Sequence, residues 1–337
     1  MSRRFSREAL ITSSLLIALL VSVVVALSQG ALDLDLIAVL LGAAGGVDTE
    51  VLSNIRAPRV ALAAAAGAGL AASGAVLQGL FRNPLADPGL IGVSGGAAVG
   101  AVTMIVLGAA LNLPPIILAY SIPIAAILAS LVVTSILFLF ASRHGSFNVA
   151  TVLLAGIAIN AIASVVIGIF QYISDDGQLR TLTFWMMGSF GRASWATVIP
   201  AILAIAGALF LLLSQTRDLD RLQLGDAEAF YLGVDVQRVK VVIVFASALS
   251  VGVAVSLSGI IGFVGLVVPH IVRFVVGVTH TSLVICSALL GASLLTMADL
   301  GARLIMMPAE VPVGLVTSAI GGPFFLWLIV RKVPNAF

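Results

Sequence analysis

The residues that could carry out chemistry in this chain are few and far apart. The only two lysines, Lys240 and Lys332, are each followed by Val. Neither therefore completes the Gly-x-x-x-x-Gly-Lys-Ser/Thr loop that binds nucleotide phosphates. The three histidines, His144, His270 and His280, do not have the spacing of metal ligands. The sequence thus predicts no enzyme and no cofactor or metal held by this chain.

Asp299 is the only acidic residue that falls inside a long apolar run. Ion-coupled carriers usually keep ionisable groups deep in the bilayer, because such groups are costly there. The simpler role for Asp299 is an i, i+4 pair with Arg303. An ion-coupled secondary transporter is the alternative of another class, but one acid supports it weakly. We expect the energy for transport to come from a partner protein.

The composition requires lipid as the solvent. Apolar residues make up 61 % of the 337 residues, charged residues 9 %, and mean hydropathy is +1.20. Soluble domains are roughly 45–50 % apolar and about 25 % charged. The apolar runs are long and continuous, which favours helices over a β-barrel. The single Cys286 excludes an internal disulfide framework.

Ten apolar runs are long enough to be membrane helices. The predicted fold is therefore an all-α polytopic membrane protein, with one transmembrane domain over residues 1–337 and an uncleaved first helix. The runs are 9–28, 58–81, 90–111, 116–141, 149–172, 195–214, 239–258, 260–277, 282–303 and 312–330.

The basic residues predict the orientation of these helices. With ten spans, twelve of the 17 Lys and Arg residues lie on the side of the termini and five on the other. The positive-inside rule then places both termini in the cytoplasm. We expect a multi-pass membrane protein, surrounded by lipid and without a nucleic-acid partner.

Three segments between the runs are long enough to carry function. The first is the outer segment 29–58, which holds Asp33, Asp35, Asp48 and Glu50. The outer segment 174–194 predicts a short helix at the membrane surface, with Trp185 at headgroup level. The cytoplasmic segment 215–240 is the most polar stretch and predicts two short helices, one capped by Asp226. An apolar face on this segment would comprise Leu224, Phe230, Tyr231 and Val234.

A short internal echo suggests an inverted repeat, which is a frequent plan among transporters. Five residues recur 185 positions later in the chain. They are Gly67, Ser73, Gly74, Pro84 and Gly92, matched by Gly252, Ser258, Gly259, Pro269 and Gly277.

Several motifs resemble the iron-chelate, haem and cobalamin permeases of ABC importers, the FecCD-like permeases of type II importers. The match runs from about Arg56 to Arg331, with the motifs in the same order and spacing. The motifs are RNPLADPGLIGVS (Arg82–Ser94), GIIGFVGLVVPHIVR (Gly259–Arg273), ADLGAR (Ala298–Arg303), EVPVG (Glu310–Gly314), LGD (Leu224–Asp226) and YLGV (Tyr231–Val234).

This resemblance implies the partners and the cargo. It implies a multi-pass protein of the bacterial inner membrane that forms a homodimer with the path on its axis. The implied partners are two cytoplasmic ATPase subunits that hold ATP and Mg, and a periplasmic binding protein. Gln178-Leu179-Arg180 and Phe184-Trp185 are most similar to haem permeases. Haem is therefore the first choice of cargo, with a ferric siderophore or, third, cobalamin as alternatives.

The resemblance and the charge pattern together assign four groups of residues. For ATPase coupling they are Leu224, Gly225, Glu228, Leu232 and Gly233. For docking of the binding protein they are Arg56, Arg59 and Arg303. For the cytoplasmic gate they are Ser146, Asn148 and Val149, and for the substrate path Arg180, Trp185 and Met187.

Overall fold

Helices make up the regular structure throughout the computed structural model. It describes residues 2–30, 38–39, 45–112, 114–142 and 149–332, and these residues contain no strand. The predicted all-α class is confirmed. In chain order the helices are α1 (Ser2–Ser28), α2 (Gly46–Leu80), α3 (Val93–Leu107), α4 (Pro115–Ser142), α5 (Val149–Ile173), α6 (Asp176–Met187), α7 (Trp195–Ser214), α8 (Thr216–Leu222), α9 (Asp226–Tyr231), α10 (Val236–Ser258), α11 (Val264–Val276), α12 (His280–Leu304) and α13 (Val313–Lys332).

Each of the ten predicted runs contains a helix, but their lengths differ. Among the described residues, eight helices are long and apolar enough to cross a membrane: α1 to α5, α7, α10 and α12. The predicted span over 260–277 is wrong in extent, since α11 has only 13 residues. At 1.5 Å per residue it is about 20 Å long, less than the roughly 30 Å hydrocarbon core. The apolar helix α13 follows α12 after the loop 305–312.

The break before α11 has a conformational cause that apolar composition does not reveal. Gly259 ends α10 with φ +71°, and Phe263 precedes α11 with φ +68°. A side chain on Gly259 would also collide with the carbonyl of Trp185. Residues of a right-handed helix have negative φ, so a residue with positive φ interrupts the helix. Positive φ is easy for Gly and uncommon for other residues. Residues 259–263 therefore run as irregular backbone between two helices.

Helix α2 forms the centre of the bundle. In its apolar, membrane-length part, 78 % of the residues are buried, against 11 % in α1 and 17 % in α5. It packs against α7, α10, α11 and α12. It begins at Gly46, well before the predicted 58, and includes a π-helical turn at Val51–Arg56. A helix buried on so many sides needs small residues at its crossings.

Two glycine pairs provide these close crossings. A β-carbon on Gly67 would meet the backbone carbonyl of Gly291 in α12, and one on Gly291 would meet that of Gly67. Likewise, a β-carbon on Gly74 would meet the carbonyl of Gly265 in α11. The backbones of α2, α11 and α12 are thus in direct contact.

The internal echo does not correspond to equivalent places in the fold. Gly74 lies inside α2, whereas Gly259 terminates α10. Pro84 lies in the loop after α2, whereas Pro269 lies inside α11. These matched residues have different structural roles, and the inverted repeat stays a prediction.

The Gly67 crossing yields a stability prediction. We expect Gly67→Ala to lower the free energy of unfolding by about 1–3 kcal/mol, since the added methyl overpacks a backbone contact. The measurement is a denaturant titration of the purified chain in detergent.

Gly207 in α7 is the matched control, because nothing lies within 4 Å of the position its β-carbon would take. Gly207→Ala should be neutral or stabilising by up to about 1 kcal/mol, from helix propensity alone. Equal effects of the two substitutions would contradict the packing account.

Candidate functional site

An ionic cluster joins three segments at one end of the bundle, which we call the far end because α1 ends there. Arg59 of α2 donates from Nε and Nη2 to the Asp299 carboxylate in α12, at 2.9 to 3.1 Å. Its Nη1 donates to both oxygens of Glu310, at 2.8 and 3.0 Å. Arg303 pairs with Asp299 through Nε at 3.4 Å. Asp299 therefore lies between two guanidinium groups.

The expected Asp299–Arg303 pair is present, but Arg59 makes the shorter contacts with Asp299. The Asp299 side chain is 1 % exposed. A buried carboxylate held by two arginines stabilises its surroundings only while both partners remain. This geometry suits a structural ion pair.

The other arginine contacts at the far end cap the last carbonyls of α1. Arg56 Nη1 donates to the carbonyls of Leu27 and Ser28, at 2.8 and 2.7 Å. Arg303 Nη2 donates to the Ala26 carbonyl at 3.1 Å. The last carbonyls of a helix lack intrahelical partners and carry partial negative charge. Two cationic side chains from other helices therefore cap α1.

These contacts revise the picture of the docking arginines. Docking as predicted needs guanidinium groups directed outwards, yet Arg56, Arg59 and Arg303 are only 5–8 % exposed in this chain. Each donates to acceptors within the chain. Glu310 was not predicted as a partner of Arg59, because 251 residues separate the two in the chain.

A cavity of about 220 Å³ lies beside this cluster. Phe184, Trp185, Arg192 and Glu310 line it, together with the end of α10 and residues 311–312. The predicted surface helix is present as α6, with a capping box formed by Asp175 and Gln178. Trp185, however, is buried rather than placed at headgroup level.

The three predicted path residues lie on α6 but are not all brought together. Trp185 lines the cavity. Arg180 is exposed, and its Cζ lies 5.8 Å from the centroid of the Phe184 ring, which itself lines the cavity. Met187 is partly buried at the end of α6 and does not line the cavity. Arg192 does line it and was not predicted.

Two backbone hydrogen bonds connect the chain segments beside this cavity. Ser189 N donates to the Ser258 carbonyl at 2.7 Å, and Val313 N donates to the Gly188 carbonyl at 3.0 Å. The ends of α6 and α10 and the start of α13 are thereby joined. The EVPVG motif and the glycine after α6 thus act together, although they are distant in sequence.

The opposite end of the bundle, which we call the near end, carries the two short helices predicted within 215–240. These are α8 and α9, and they are confirmed. The exposed side chains include Leu224 (66 %), Leu232 (54 %) and Glu228, whereas Val234 is buried. Gly225 and Gly233 bound α9 with φ of +135° and +81°. The predicted coupling residues thus form one exposed stretch around α9.

Asp226 and Asp220 anchor this stretch to the bundle. Asp226 does not cap a helix as predicted. Instead it accepts from Lys240 Nζ at 2.5 Å and from Arg82 Nη2 at 3.2 Å. Asp220 accepts from the backbone N–H of His280 at 3.0 Å and contacts its Nδ1. Charged contacts therefore link α8 and α9 to α10, α12 and the loop after α2.

The predicted gate falls largely outside the described residues. Ser146 and Asn148 lie in the segment 143–148, which the structure does not describe, and Val149 is described only as the first residue of α5. Within the described ranges no group of three or more His, Cys, Asp and Glu side chains could hold a metal ion.

The helices of membrane length among the described residues define a polytopic membrane protein. The model of the FecCD transport family matches residues 15–331, and the chain belongs to that family. It is a multi-pass permease of the bacterial inner membrane, of the ABC importer type that works with ATPase and binding-protein partners.

Individual relatives agree with this assignment. The chain is 47 % identical to the hemin transport system permease HmuU of Yersinia pestis, over 94 % of both chains. It is 41 % identical to the vitamin B12 import permease BtuC of Vibrio cholerae, over 85 % of this chain and 84 % of that one. A solved metal-chelate type ABC transporter in an inward-facing conformation superposes with TM-score 0.85, at 33 % identity, over 95 % of this chain and 99 % of that one.

The ionic cluster generates a prediction about stability. Asp299→Asn should lower the free energy of unfolding by about 3–5 kcal/mol, because it leaves two buried guanidinium groups without their shared charge. A denaturant titration in detergent measures this change.

Glu310→Gln is the comparison, since the Glu310 side chain is 46 % exposed. Its loss should cost at most about 1 kcal/mol. Similar costs for the two variants would show that the buried carboxylate is not the centre of the cluster.

Proposed function

We propose that this chain is the permease of a haem importer. The observation that carries the proposal is the 47 % identity to a hemin permease over nearly the whole of both chains. The identity to the vitamin B12 permease is lower, at 41 %, and covers less of the chain. Cobalamin and ferric siderophores are the alternative cargoes.

The far-end cavity supports a flat, anionic cargo. Phe184 and Trp185 supply aromatic surface, and Arg192 supplies a cation beside them. Arg180 stands nearby on the same helix, at the Phe184 ring. Arginine pairs with carboxylates through two parallel hydrogen bonds, which suits the haem propionates. Arg180, Trp185 and Met187 remain the proposed path residues, and Arg192 joins them.

In the proposed assembly two copies of the chain form a homodimer, with the path on the axis between them. A periplasmic binding protein delivers the cargo at the far end. Two ATPase subunits bind and hydrolyse ATP at the near end, so the permease itself catalyses no reaction. The gate residues Ser146, Asn148 and Val149 would lie where the two copies meet, next to the near end.

Docking of the binding protein is proposed at Arg56, Arg59 and Arg303, with a condition set by their contacts. Acidic residues of the binding protein would have to compete with the α1 carbonyls and with Glu310 for these arginines. Glu310 is the exposed member of the cluster and is the easiest to displace.

The cargo proposal predicts a selective effect on ATP turnover. With the complete transporter in proteoliposomes and its binding protein present, haem should stimulate ATP hydrolysis, whereas cobalamin and a ferric siderophore should not. Arg192→Gln should weaken the haem response and leave the rate without cargo unchanged. Stimulation by a siderophore and not by haem would overturn the cargo assignment.

The exposed stretch around α9 is the proposed ATPase contact, through Leu224, Gly225, Glu228, Leu232 and Gly233. Leu232 is half exposed at the end of a six-residue helix, where lipid does not cover it. Buried apolar anchors at interfaces contribute about 2 kcal/mol or more. Leu232 would be such an anchor once the ATPase is bound.

This assignment predicts the behaviour of two Leu232 variants. Leu232→Arg should abolish co-purification of the ATPase and cargo uptake, because a charge would be buried at the contact. Leu232→Met keeps the apolar volume and should retain both. If ATPase capture survives Leu232→Arg, the contact lies elsewhere.

A further inference from the structure

A second cavity, of about 370 Å³, lies at the near end between α2, the segment 215–240, which we call the coupling segment, and α11. Most of its lining side chains carry N–H groups. They include Gln78, Arg82, Gln223, His270 and Arg273, with Phe274 at the side. No carboxylate lines this cavity within the described part of the chain. Its electrostatic character is therefore that of a site for an anion.

Arg273 is the least satisfied basic residue along this lining. Its Nη2 lies 3.5 Å from Oε1 of the neutral Gln78 amide, at the limit of a hydrogen bond. Its Nε is buried and has no hydrogen-bond partner among the described residues. Arg59 at the far end, by contrast, contacts two carboxylates at 2.8 to 3.1 Å. A buried guanidinium N–H without an acceptor is unusual and requires an explanation.

Arg82 is held beside this cavity in an unusual backbone conformation. It follows α2 with φ +48°, a region that favours Gly. Its Nη2 donates to the Leu222 carbonyl and to Asp226. Asp226 also accepts from Lys240, so one carboxylate serves two cations. The positive charge next to the cavity thus exceeds the negative charge.

The rim of the cavity is apolar on the α11 side. Phe274, Val275 and Val278 are 67 %, 46 % and 68 % exposed. A cationic cavity beside exposed apolar side chains at the end of a membrane helix matches an amphiphile whose anionic head is a phosphate.

We propose that this cavity binds a phosphate-class oxyanion, held by the guanidinium groups of Arg273 and Arg82 beside the Gln78 amide. The phosphate of an anionic lipid headgroup and a free phosphate share this chemistry. The bound oxyanion would connect α11, the end of α2 and the segment that carries α8 and α9. The site does not depend on the identity of the cargo.

The test measures ligand retention by the purified full-length chain in a neutral detergent. Phosphatidylglycerol and a diacylglycerol with the same acyl chains are supplied, and bound lipid is counted by native mass spectrometry. Wild type should retain phosphatidylglycerol and not the diacylglycerol. Arg273→Gln should reduce this retention about tenfold or more, as expected for loss of charge-assisted hydrogen bonds. Arg273→Lys should retain more than Arg273→Gln.

Arg238→Gln is the matched control, because it removes an exposed charge from the same end of the bundle. An equal loss in this variant, or unchanged retention in Arg273→Gln, would overturn the proposal by showing general attraction to a basic surface. If Arg273→Gln does not elute as a folded protein, Arg82→Gln is read in its place.

Added inorganic phosphate distinguishes the two sources. Displacement of the lipid by millimolar phosphate would support a site that also accepts the free anion. Retention of lipid in its presence would support the headgroup as the ligand. Binding of neither probe by wild type would overturn the site.

Discussion

The contact of backbone against backbone along α2 is the constraint on which the rest of the structure depends. A helix can be enclosed by four others only where small residues let the axes approach, and Gly67 and Gly74 meet this requirement. Since α2 is one continuous helix, the same packing fixes Arg59 at the far end and Arg82 just beyond the near end. The ionic cluster and the anion cavity are therefore both positioned by the packing of the single helix α2.

The two ends use charge in opposite ways. At the far end, arginines face carboxylates and helix carbonyls within the chain, and these groups satisfy one another. At the near end, apolar side chains of the coupling segment remain exposed, and Arg273 lacks a close acceptor in the described residues. The near end consequently has binding capacity that the chain alone does not use.

Hydropathy was enough to predict the helix positions, because long apolar runs report burial in lipid directly. It could not predict the length of α11, since Gly259 and Phe263 are as apolar as helix residues and only their φ angles differ. The short helices α8 and α9 were predictable from local polarity. The partners of Arg59 were not, because 240 and 251 residues separate it from Asp299 and Glu310. Long-range pairs of this kind arise from packing rather than from a local pattern.

The capping of α1 has a consequence for how the chain is made. The ribosome delivers α1 to the membrane before α2 and α12, yet its terminal carbonyls are bonded by Arg56, 28 residues beyond Ser28, and by Arg303, 277 residues beyond Ala26. Until α12 has been inserted, the end of α1 lacks one of its two caps. The contacts at the end of α1 are thus complete only after α12 has joined the bundle. A chain truncated before α12 would retain the Arg56 contacts at this helix end and lose the Arg303 contact.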